Sequence, residues 1–466
     1  MKYIKEYLPV ISVFCLALVV RIVYNLTVAK GYTPIYDAGL YNILADNILD
    51  KHCFCLGAIS ANPQTISRPP LWPLIMAIIY FFTGQHTFYA RLFYCFLGSG
   101  TCVLIYIFAR DLFGRRIALY TGMLAAIYTG LFIWDGWLFT ESLYTFCLLA
   151  FAYSLYRLQR SISSPAVRGE NRLQRWLSRL AQHKLAISCG IWIGLASLTR
   201  PNGLTLFGLL FLWAIVVIWA KIMNWQAASK NFVLIALIAV IIIAPWTYRN
   251  YTLTHQFIPV SLGLGTVLMG AYNDRILQND PSAHGMWRPP FNTLNQDKDY
   301  YTPQNDHTDT LRALQWIRTH LSVMPYLLGL HFINMWIPYT FVPGLPMIEF
   351  PDRTSTHLLL VLINVMTILM YLLGLAGLLF TWKRWKAQLL VVYLAIIVTT
   401  AENVVFYSNM RFRTPVEPFL VLLAGGGLWW LTGDEPGTLR SMLKKRQPGT
   451  ETATYNLNQP VMPLHQ

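Results

Sequence analysis

Residues 358–380 read LLLVLINVMTILMYLLGLAGLLF and contain no charged side chain. A helix of roughly 20 apolar residues crosses the ~30 Å hydrocarbon layer of a bilayer. The same character runs through the whole chain, in which hydrophobic residues make up 55% of 466 positions and charged residues only 12%. A soluble domain has about 25% charged residues, and a single soluble core could not enclose this much apolar surface. The composition therefore predicts an all-α, polytopic membrane protein.

Ten apolar blocks are long enough to be membrane spans. They cover residues 8–29, 88–109, 117–133, 138–156, 185–198, 204–220, 232–245, 358–380, 389–406 and 415–431. Two weaker stretches, 71–82 and 323–341, are short or interrupted by Pro and His, and we interpret them as interfacial or re-entrant helices. The sequence thus predicts a bundle of about ten transmembrane helices, with twelve as the alternative count.

The distribution of Lys and Arg predicts the orientation of the bundle. With the N-terminus in the cytoplasm and ten spans, every basic cluster falls on the cytoplasmic side, as the positive-inside bias requires. These clusters hold more than half of the 36 basic residues. We therefore predict a multi-pass protein of the cytoplasmic (inner) membrane with both termini inside. A pI near 9.5 can indicate nucleic-acid binding, but here the basic excess is spread over loops, which argues against such a partner.

This orientation also predicts the arrangement of the domain. Residues 1–433 form one transmembrane domain, with residues 30–70 as a first outer loop and residues 246–322 as an irregular outer cap. The first loop continues from Asp37 into an amphipathic stretch, typical of a helix that lies along the membrane surface. The tail, 434–466, is expected to be cytoplasmic and disordered.

The seven cysteines predict neither a metal site nor a disulfide framework. Five of them lie inside predicted spans, where cysteine serves as a small apolar residue. Cys53 and Cys55 share an outer loop, but they are separated by one residue, so a disulfide between them would be strained and is not expected.

Charged side chains gather at the outer ends of the spans, where burial is costly unless something compensates. They are Arg21, Asp37, Arg68, Asp135, Glu141, Arg200, Arg411 and Arg413. Guanidinium groups bind phosphate well, and a carboxylate can accept a proton from a reacting group. The combination is what an enzyme acting on a phosphate-bearing lipid needs.

Each of these residues also has a structural interpretation. Asp37 could only cap the helix that follows it, and Arg21 and Arg68 could extend to lipid phosphates as interfacial anchors. Asp135 lies in a turn between two spans, which favours a structural role. Glu141 lies about one turn inside its helix, a costly place for an idle carboxylate, so a functional role is favoured there.

Several short motifs follow one another along most of the chain. They are YDAGLY (36–41), RPPLWPL (68–74), ARL (90–92), ARDLFGRR (109–116), LFTESL (138–143), LTRPNG (198–203), PWTYRNY (245–251) and RFRTPVEP (411–418). Taken together in this order, they resemble the bacterial GT-C glycosyltransferases. The similarity is to the branch that includes protein O-mannosyltransferases and aminoarabinose transferases, which use polyprenyl-phosphate sugars.

The resemblance implies roles for individual residues. The acid of the first outer loop, Asp37, corresponds to the catalytic base, and Arg68 to the basic residue that helps to hold the lipid phosphate. Glu141 corresponds to an acid that lines the same cavity. Relatives often have Asp-Glu at the start of this loop, whereas here Ala38 follows Asp37. This departure weakens the case for a metal ion, so no obligatory cofactor is expected, although a divalent metal stays possible.

These roles predict a membrane glycosyltransferase that transfers a sugar from a polyprenyl-phosphate-linked donor to a lipid, glycan or protein acceptor. One well-placed carboxylate favours a single inverting displacement over a covalent double displacement. Arg68, Arg200, Arg411 and Arg413 are the expected ligands of the donor, and membrane lipids surround the protein. The alternatives are a polytopic transporter or lipid flippase, and a non-catalytic GT-C-like assembly factor, which the single carboxylate keeps open.

The predicted orientation can be tested by thiol labelling in intact cells. A cysteine placed at Ser163, in a predicted cytoplasmic loop, should resist an impermeant reagent, whereas one placed at Gln256, in a predicted outer loop, should react. Ready labelling at Ser163 would contradict the orientation and move the predicted site to the other side of the membrane.

Overall fold

The computed structural model describes residues 2–56, 64–163, 172–277, 284–289, 302–340, 345, 347–433, 435 and 438–441. In these ranges the chain forms sixteen α-helices, numbered α1 to α16 in chain order. They are Lys2–Leu26, Tyr36–Asp50, Leu71–Thr83, Thr87–Phe113, Arg115–Ile127, Thr129–Phe132, Glu141–Ser163, Arg172–Thr199, Thr205–Trp219, Trp225–Thr254, Leu264–Ala271, Pro303–Thr319, Met324–Trp336, Arg353–Trp385, Leu390–Phe406 and Glu417–Thr432. The prediction of an all-α membrane fold is confirmed.

Each predicted span overlaps one of these helices or a pair of them, with a few residues outside at some ends. Among the described residues, six helical segments are long and apolar enough to cross a membrane, and a seventh is the pair α5 and α6, bent by 58°. The other three predicted spans coincide with α7 and α8, which are more polar, and with α15, which has only 17 residues. The total of about ten spans therefore stays a prediction.

The two weak stretches form short helices, α3 and α13, of 13 residues each. At 1.5 Å per residue such a helix is about 20 Å long, less than the hydrocarbon layer. Their length favours the interfacial or re-entrant interpretation.

The centre of the bundle is formed by α7 and α16, whose side chains are buried along most of their length. Helix α16 lies directly against α14 because glycines bring the two backbones together. A Cβ atom on Gly377 would come within 1.7 Å of the Leu423 carbonyl oxygen, and one on Gly427 within 2.6 Å of that of Leu373. Small residues at a helix crossing are typical of membrane bundles.

A buried ion pair joins α1 to the turn before α7. The Arg21 Nε donates to the Asp135 carboxylate at 2.7 Å, and the two side chains are 0% and 1% exposed. The Ser142 hydroxyl donates to the other carboxylate oxygen at 2.6 Å. Arg21 is therefore not an interfacial anchor, and this arrangement favours the structural interpretation of Asp135.

One prediction about the cysteines is wrong. Cys53 and Cys55 form a disulfide, although their spacing predicted none. Their Cα atoms are 5.4 Å apart, inside the usual range for bonded cysteines, so one intervening residue leaves enough separation.

The described part of the predicted outer cap contains α11 and α12, which pack around a small apolar cluster with α13. Its buried members include Met269, Tyr272, Ala313 and Leu327. Of the predicted disordered tail, residue 434, residues 436–437 and residues 442–466 lie outside the described residues, and the domain boundaries stay predictions.

The buried ion pair should be essential for stability. Asp135→Ala would leave the Arg21 guanidinium buried without its carboxylate, and breaking such a pair costs about 3–5 kcal/mol. A matched control is Glu435→Gln, which removes an exposed ion pair with Arg384 and should cost no more than about 1 kcal/mol. Thermal unfolding of the purified proteins in one detergent measures both effects, and equal melting temperatures for the two variants would contradict the assignment.

Candidate active site

Five of the predicted site residues meet in one continuous network, here called the Arg–acid cluster. It consists of Arg68, Asp37, Arg411, Glu141 and Arg200, in spatial order. Arg68 lies 3.0 Å from Asp37, Arg411 lies 3.6 Å from the other Asp37 oxygen, and Arg200 lies 2.7 Å from Glu141. Arg411 also donates through Nε to Glu141. Arginines and acids alternate, so each carboxylate lies between two guanidinium groups.

Asp37 enters the cluster from the first turn of α2. The N-terminus of this helix has no side-chain hydrogen-bonded cap, and the hydrogen bond that Asp37 accepts comes from Arg68. The capping interpretation is therefore not what the structure shows. The carboxylate is 41% exposed, which makes it the most accessible member of the cluster for an incoming molecule.

The charge state of Asp37 follows from its neighbours. Partial burial alone would raise its pKa, but the positive charges of Arg68, Arg411 and Arg200 outweigh that effect and hold the pKa below its ordinary value. Without a ligand, Asp37 is thus ionised and strongly paired, which makes it a weak proton acceptor.

Arg68 is placed by the prolines that follow it. Pro69 and Pro70 restrict the backbone just before α3 begins at Leu71. The guanidinium donates to the Ser67 carbonyl at 3.2 Å as well as to Asp37. Its side chain is 19% exposed and lies inside the cluster, so it is not directed toward lipid as an interfacial anchor would be.

Glu141 is the first residue of α7 and is 1% exposed. One of its oxygens accepts hydrogen bonds from both Arg200 and Arg411. Arg200 follows the end of α8, and Arg411 belongs to the tight 3₁₀ turn that leads into α16. A single buried carboxylate therefore fixes two arginines from distant parts of the chain.

Aromatic rings support the arginines. Arg411 lies 4.1 Å over the Phe139 ring, and Arg200 lies 5.5 Å over that of Phe412. Such faces attract guanidinium groups and keep them partly dry. With three arginines and two carboxylates, the Arg–acid cluster has one net positive charge when both acids are ionised, and it can accept an anion.

Arg413, predicted as a fourth phosphate ligand, is not brought into the cluster. It is fully buried, pairs with Glu417 at 2.8 Å and donates to the carbonyl groups of Met335 and Ile337. Position 413 is two residues beyond Arg411, and in the tight turn the two side chains diverge. The placement of Arg413 fixes the start of α16 and offers no route to an external phosphate.

Sequence reasoning missed three residues around the cluster. Tyr41 and Tyr407 lie close enough to the cluster for the charges of several of its members to act on their hydroxyl groups. The charges of Asp37 and Arg411 act on Glu349 in the same way. Tyr41 lies one helical turn after Asp37, so the 36–41 motif contained a signal for it. Glu349 belongs to a short connection with no recognisable sequence pattern, and it comes close to the Arg–acid cluster only through the tertiary fold.

No group of three or more His, Cys, Asp or Glu side chains among the described residues is close enough together to hold a metal ion. The two carboxylates of the Arg–acid cluster are each already paired with arginines. Three guanidinium groups contribute positive charge to this site.

Comparison with known proteins assigns the class of this fold. Residues 66–259 match the family model described as dolichyl-phosphate-mannose-protein mannosyltransferase. The apo oligosaccharyltransferase of Archaeoglobus fulgidus superposes with a TM-score of 0.55 at 12% identity, over 92% of this chain and 51% of the other. The same enzyme, AglB, with an inhibitory peptide and a dolichol-phosphate gives 0.53 at 12% identity, over 91% and 50%.

A third solved structure, ArnT from Cupriavidus metallidurans, gives a TM-score of 0.42 at 15% identity, over 90% of this chain and 76% of the other. No curated protein matches the sequence. The chain spans about half the length of the oligosaccharyltransferase structures. The resemblance to the GT-C glycosyltransferases is confirmed, and it is a likeness of fold.

Proposed function

We propose that this chain is a membrane glycosyltransferase. It takes a sugar from a polyprenyl-phosphate-linked donor and transfers it, with inversion, to a lipid, glycan or protein acceptor on the extracytoplasmic face. Asp37 is the general base, and Arg68, Arg411 and Arg200 hold the donor phosphate. The match to a mannosyltransferase family model and the fold shared with a dolichol-phosphate-binding enzyme support the class of donor.

The observation that carries the proposal is the alternation of charge in the Arg–acid cluster. Two carboxylates fix three guanidiniums and leave one net positive charge beside an accessible acid. A purely structural network has no need of an excess charge at a partly exposed position. A bound phosphodiester would neutralise it and gain charge-assisted hydrogen bonds.

The reaction follows from these parts. An acceptor hydroxyl attacks the anomeric carbon, and the bond from that carbon to the phosphate oxygen breaks. The electron pair leaves with the lipid phosphate, where guanidinium groups stabilise the developing charge, and the acceptor proton passes to Asp37. Glu141 does not touch the reacting atoms in this scheme; it holds Arg200 and Arg411 in position.

The pairing of Asp37 suggests an order of events. Before the donor binds, Arg68 and Arg411 hold the Asp37 carboxylate and depress its pKa. A phosphate that recruits these guanidiniums removes part of that positive influence, so the pKa of Asp37 rises and it becomes a better base. Donor binding therefore precedes activation of the acceptor.

Asp37→Asn should fold, insert and bind the donor lipid, yet transfer almost no sugar. Asparagine has the size of aspartate and still accepts a hydrogen bond from Arg68, but it cannot take a proton. A general base contributes roughly 10²–10⁴-fold, so the transfer rate should fall at least about a hundredfold. Rate assays with purified protein in nanodiscs, beside measured yield and melting temperature, test this expectation.

Glu141→Gln is the companion variant and should have a milder effect, since we assign Glu141 to positioning. Near-normal activity of Asp37→Asn together with an inactive Glu141→Gln would place the base at Glu141. If both variants kept full activity, the transferase proposal would fail, and a transporter or flippase would become the better interpretation.

Arg68→Ala should weaken use of the donor far more than Arg68→Lys. Lysine keeps the positive charge but lacks the planar fork that binds phosphate through two parallel hydrogen bonds. The KM for the donor should rise in the order wild type, Lys, Ala. Arg249→Lys, at an arginine outside the cluster that bonds Gln64 and Thr65, is the control. Unchanged donor kinetics in Arg68→Ala would leave Arg68 without a role in binding.

A further inference from the structure

A buried carboxyl group outside the Arg–acid cluster lies next to the segment that carries Asp37. Glu349 ends a 3₁₀ turn between α13 and α14, and its side chain is 3% exposed. Neither carboxyl oxygen accepts a hydrogen bond, and no ion pair with Glu349 is present among the described residues. Burying a carboxylate without a charged partner costs free energy, which favours the neutral form of the acid.

The connection around Glu349 packs against residues 32–35, which precede α2. The Thr33 N–H donates to the Glu349 carbonyl oxygen at 3.3 Å. Phe350, the next residue, is buried and stacks on Trp137 with ring centroids 4.7 Å apart. The position of this segment is thus fixed from both sides, by backbone hydrogen bonding and by aromatic packing.

The Glu349 carboxyl faces the Tyr32 hydroxyl and the Ile35 N–H. Ile35 occupies the N-cap position of α2, where its side chain makes no capping hydrogen bond. Tyr36, the next residue, has a φ of +50°, in the left-handed region. A tyrosine in this conformation is strained by roughly 1–2 kcal/mol, and such strain is maintained only when the surroundings impose it. The next residue is Asp37, whose carboxylate lies in the Arg–acid cluster.

We propose that Glu349 is a positioning residue of this site, a role that rests on the proposed transferase function. Its backbone carbonyl holds residues 32–36 through the hydrogen bond from the Thr33 N–H, and its neutral carboxyl leaves the Arg–acid cluster its single net positive charge for the lipid phosphate. Ionisation of Glu349 would cancel that charge and would draw Arg411 away from the phosphate.

The local electrostatics agree with a neutral Glu349 at physiological pH. Burial raises its pKa to about 8, although the Tyr32 hydroxyl, Arg411 and the Ile35 N–H act in the opposite direction and Asp37 adds to the rise. Three charged or titratable side chains act on the Glu349 carboxyl: Tyr32, Asp37 of α2 and Arg411, which precedes α16. Arg91 of α4 lies behind Tyr32, 4.9 Å over its ring. The acid is therefore largely protonated below about pH 8 and ionised above it.

The sign of the pH effect follows. Only the neutral form leaves the cluster positively charged, so affinity for a lipid phosphate should be full well below pH 8, fall to about half near the pKa of Glu349 and decline further above it. If the ionised form binds poorly, the fraction of competent protein sets the apparent Kd, and the Kd should rise by up to roughly eightfold between pH 7.5 and pH 9 for a pKa near 8.

The test measures binding of undecaprenyl phosphate to full-length protein in nanodiscs at both pH values. The wild type should show the rise in Kd, and Glu349→Gln, which stays neutral, should keep its Kd within about twofold. Asp352→Asn is the matched control, since it removes an exposed carboxylate three residues away that caps α14, and it should behave like the wild type. Tyr32→Phe removes a group that stabilises the ionised form, so the rise should move to higher pH.

Each outcome has a distinct meaning. If Glu349→Gln shows the same pH dependence as the wild type, or if Tyr32→Phe moves the rise to lower pH, the positioning role is refuted while the transferase proposal stands. If the wild type itself shows no saturable binding of undecaprenyl phosphate at pH 7.5, the proposed function fails. Should Glu349→Gln not fold, the direction of the shift in Tyr32→Phe still decides.

Discussion

The site depends on one constraint: two carboxylates have to hold three arginines at the edge of an apolar bundle. Glu141 is buried and ties together Arg200 and Arg411, which come from opposite halves of the sequence. Asp37 joins Arg411 to Arg68 and is more exposed. Because arginine cannot be deprotonated in a protein, each guanidinium has to be neutralised locally or offered to an anion. In the cluster, two carboxylates neutralise two of the three positive charges, and the third is left to attract an anion.

The rest of the fold serves to place these groups. Glycines bring α14 and α16 into contact, and α16 begins immediately after the turn that carries Arg411. The buried pair of Arg21 and Asp135 fixes the turn before α7, and Glu141 is the first residue of that helix. Ion pairs in low dielectric are costly to form but more costly to break, so the geometry of the site is maintained by interactions that resist rearrangement.

Much of this arrangement could be predicted from the sequence, because each part has a local signal. Apolar blocks identified the helices, and Asp37, Arg68, Glu141, Arg200 and Arg411 stood out as charges at predicted span ends. The predictions that were wrong concern features that depend on tertiary geometry. Arg413 turns inward to Glu417 although it is two residues from Arg411, and the 53–55 disulfide forms against expectation. Glu349 had no local signal, since its neighbours Tyr32 and Ile35 are more than 300 residues away in the sequence.

We propose that arginines of the Arg–acid cluster exchange Asp37 for a lipid phosphate when the donor binds. An experimental structure of the protein in nanodiscs with bound undecaprenyl phosphate tests this exchange. We expect the phosphate to lie between Arg68 and Arg411, at least one of these arginines to have left Asp37, and Glu141 still to hold Arg200. A phosphate bound away from the cluster, with both arginines still paired to Asp37, would contradict it.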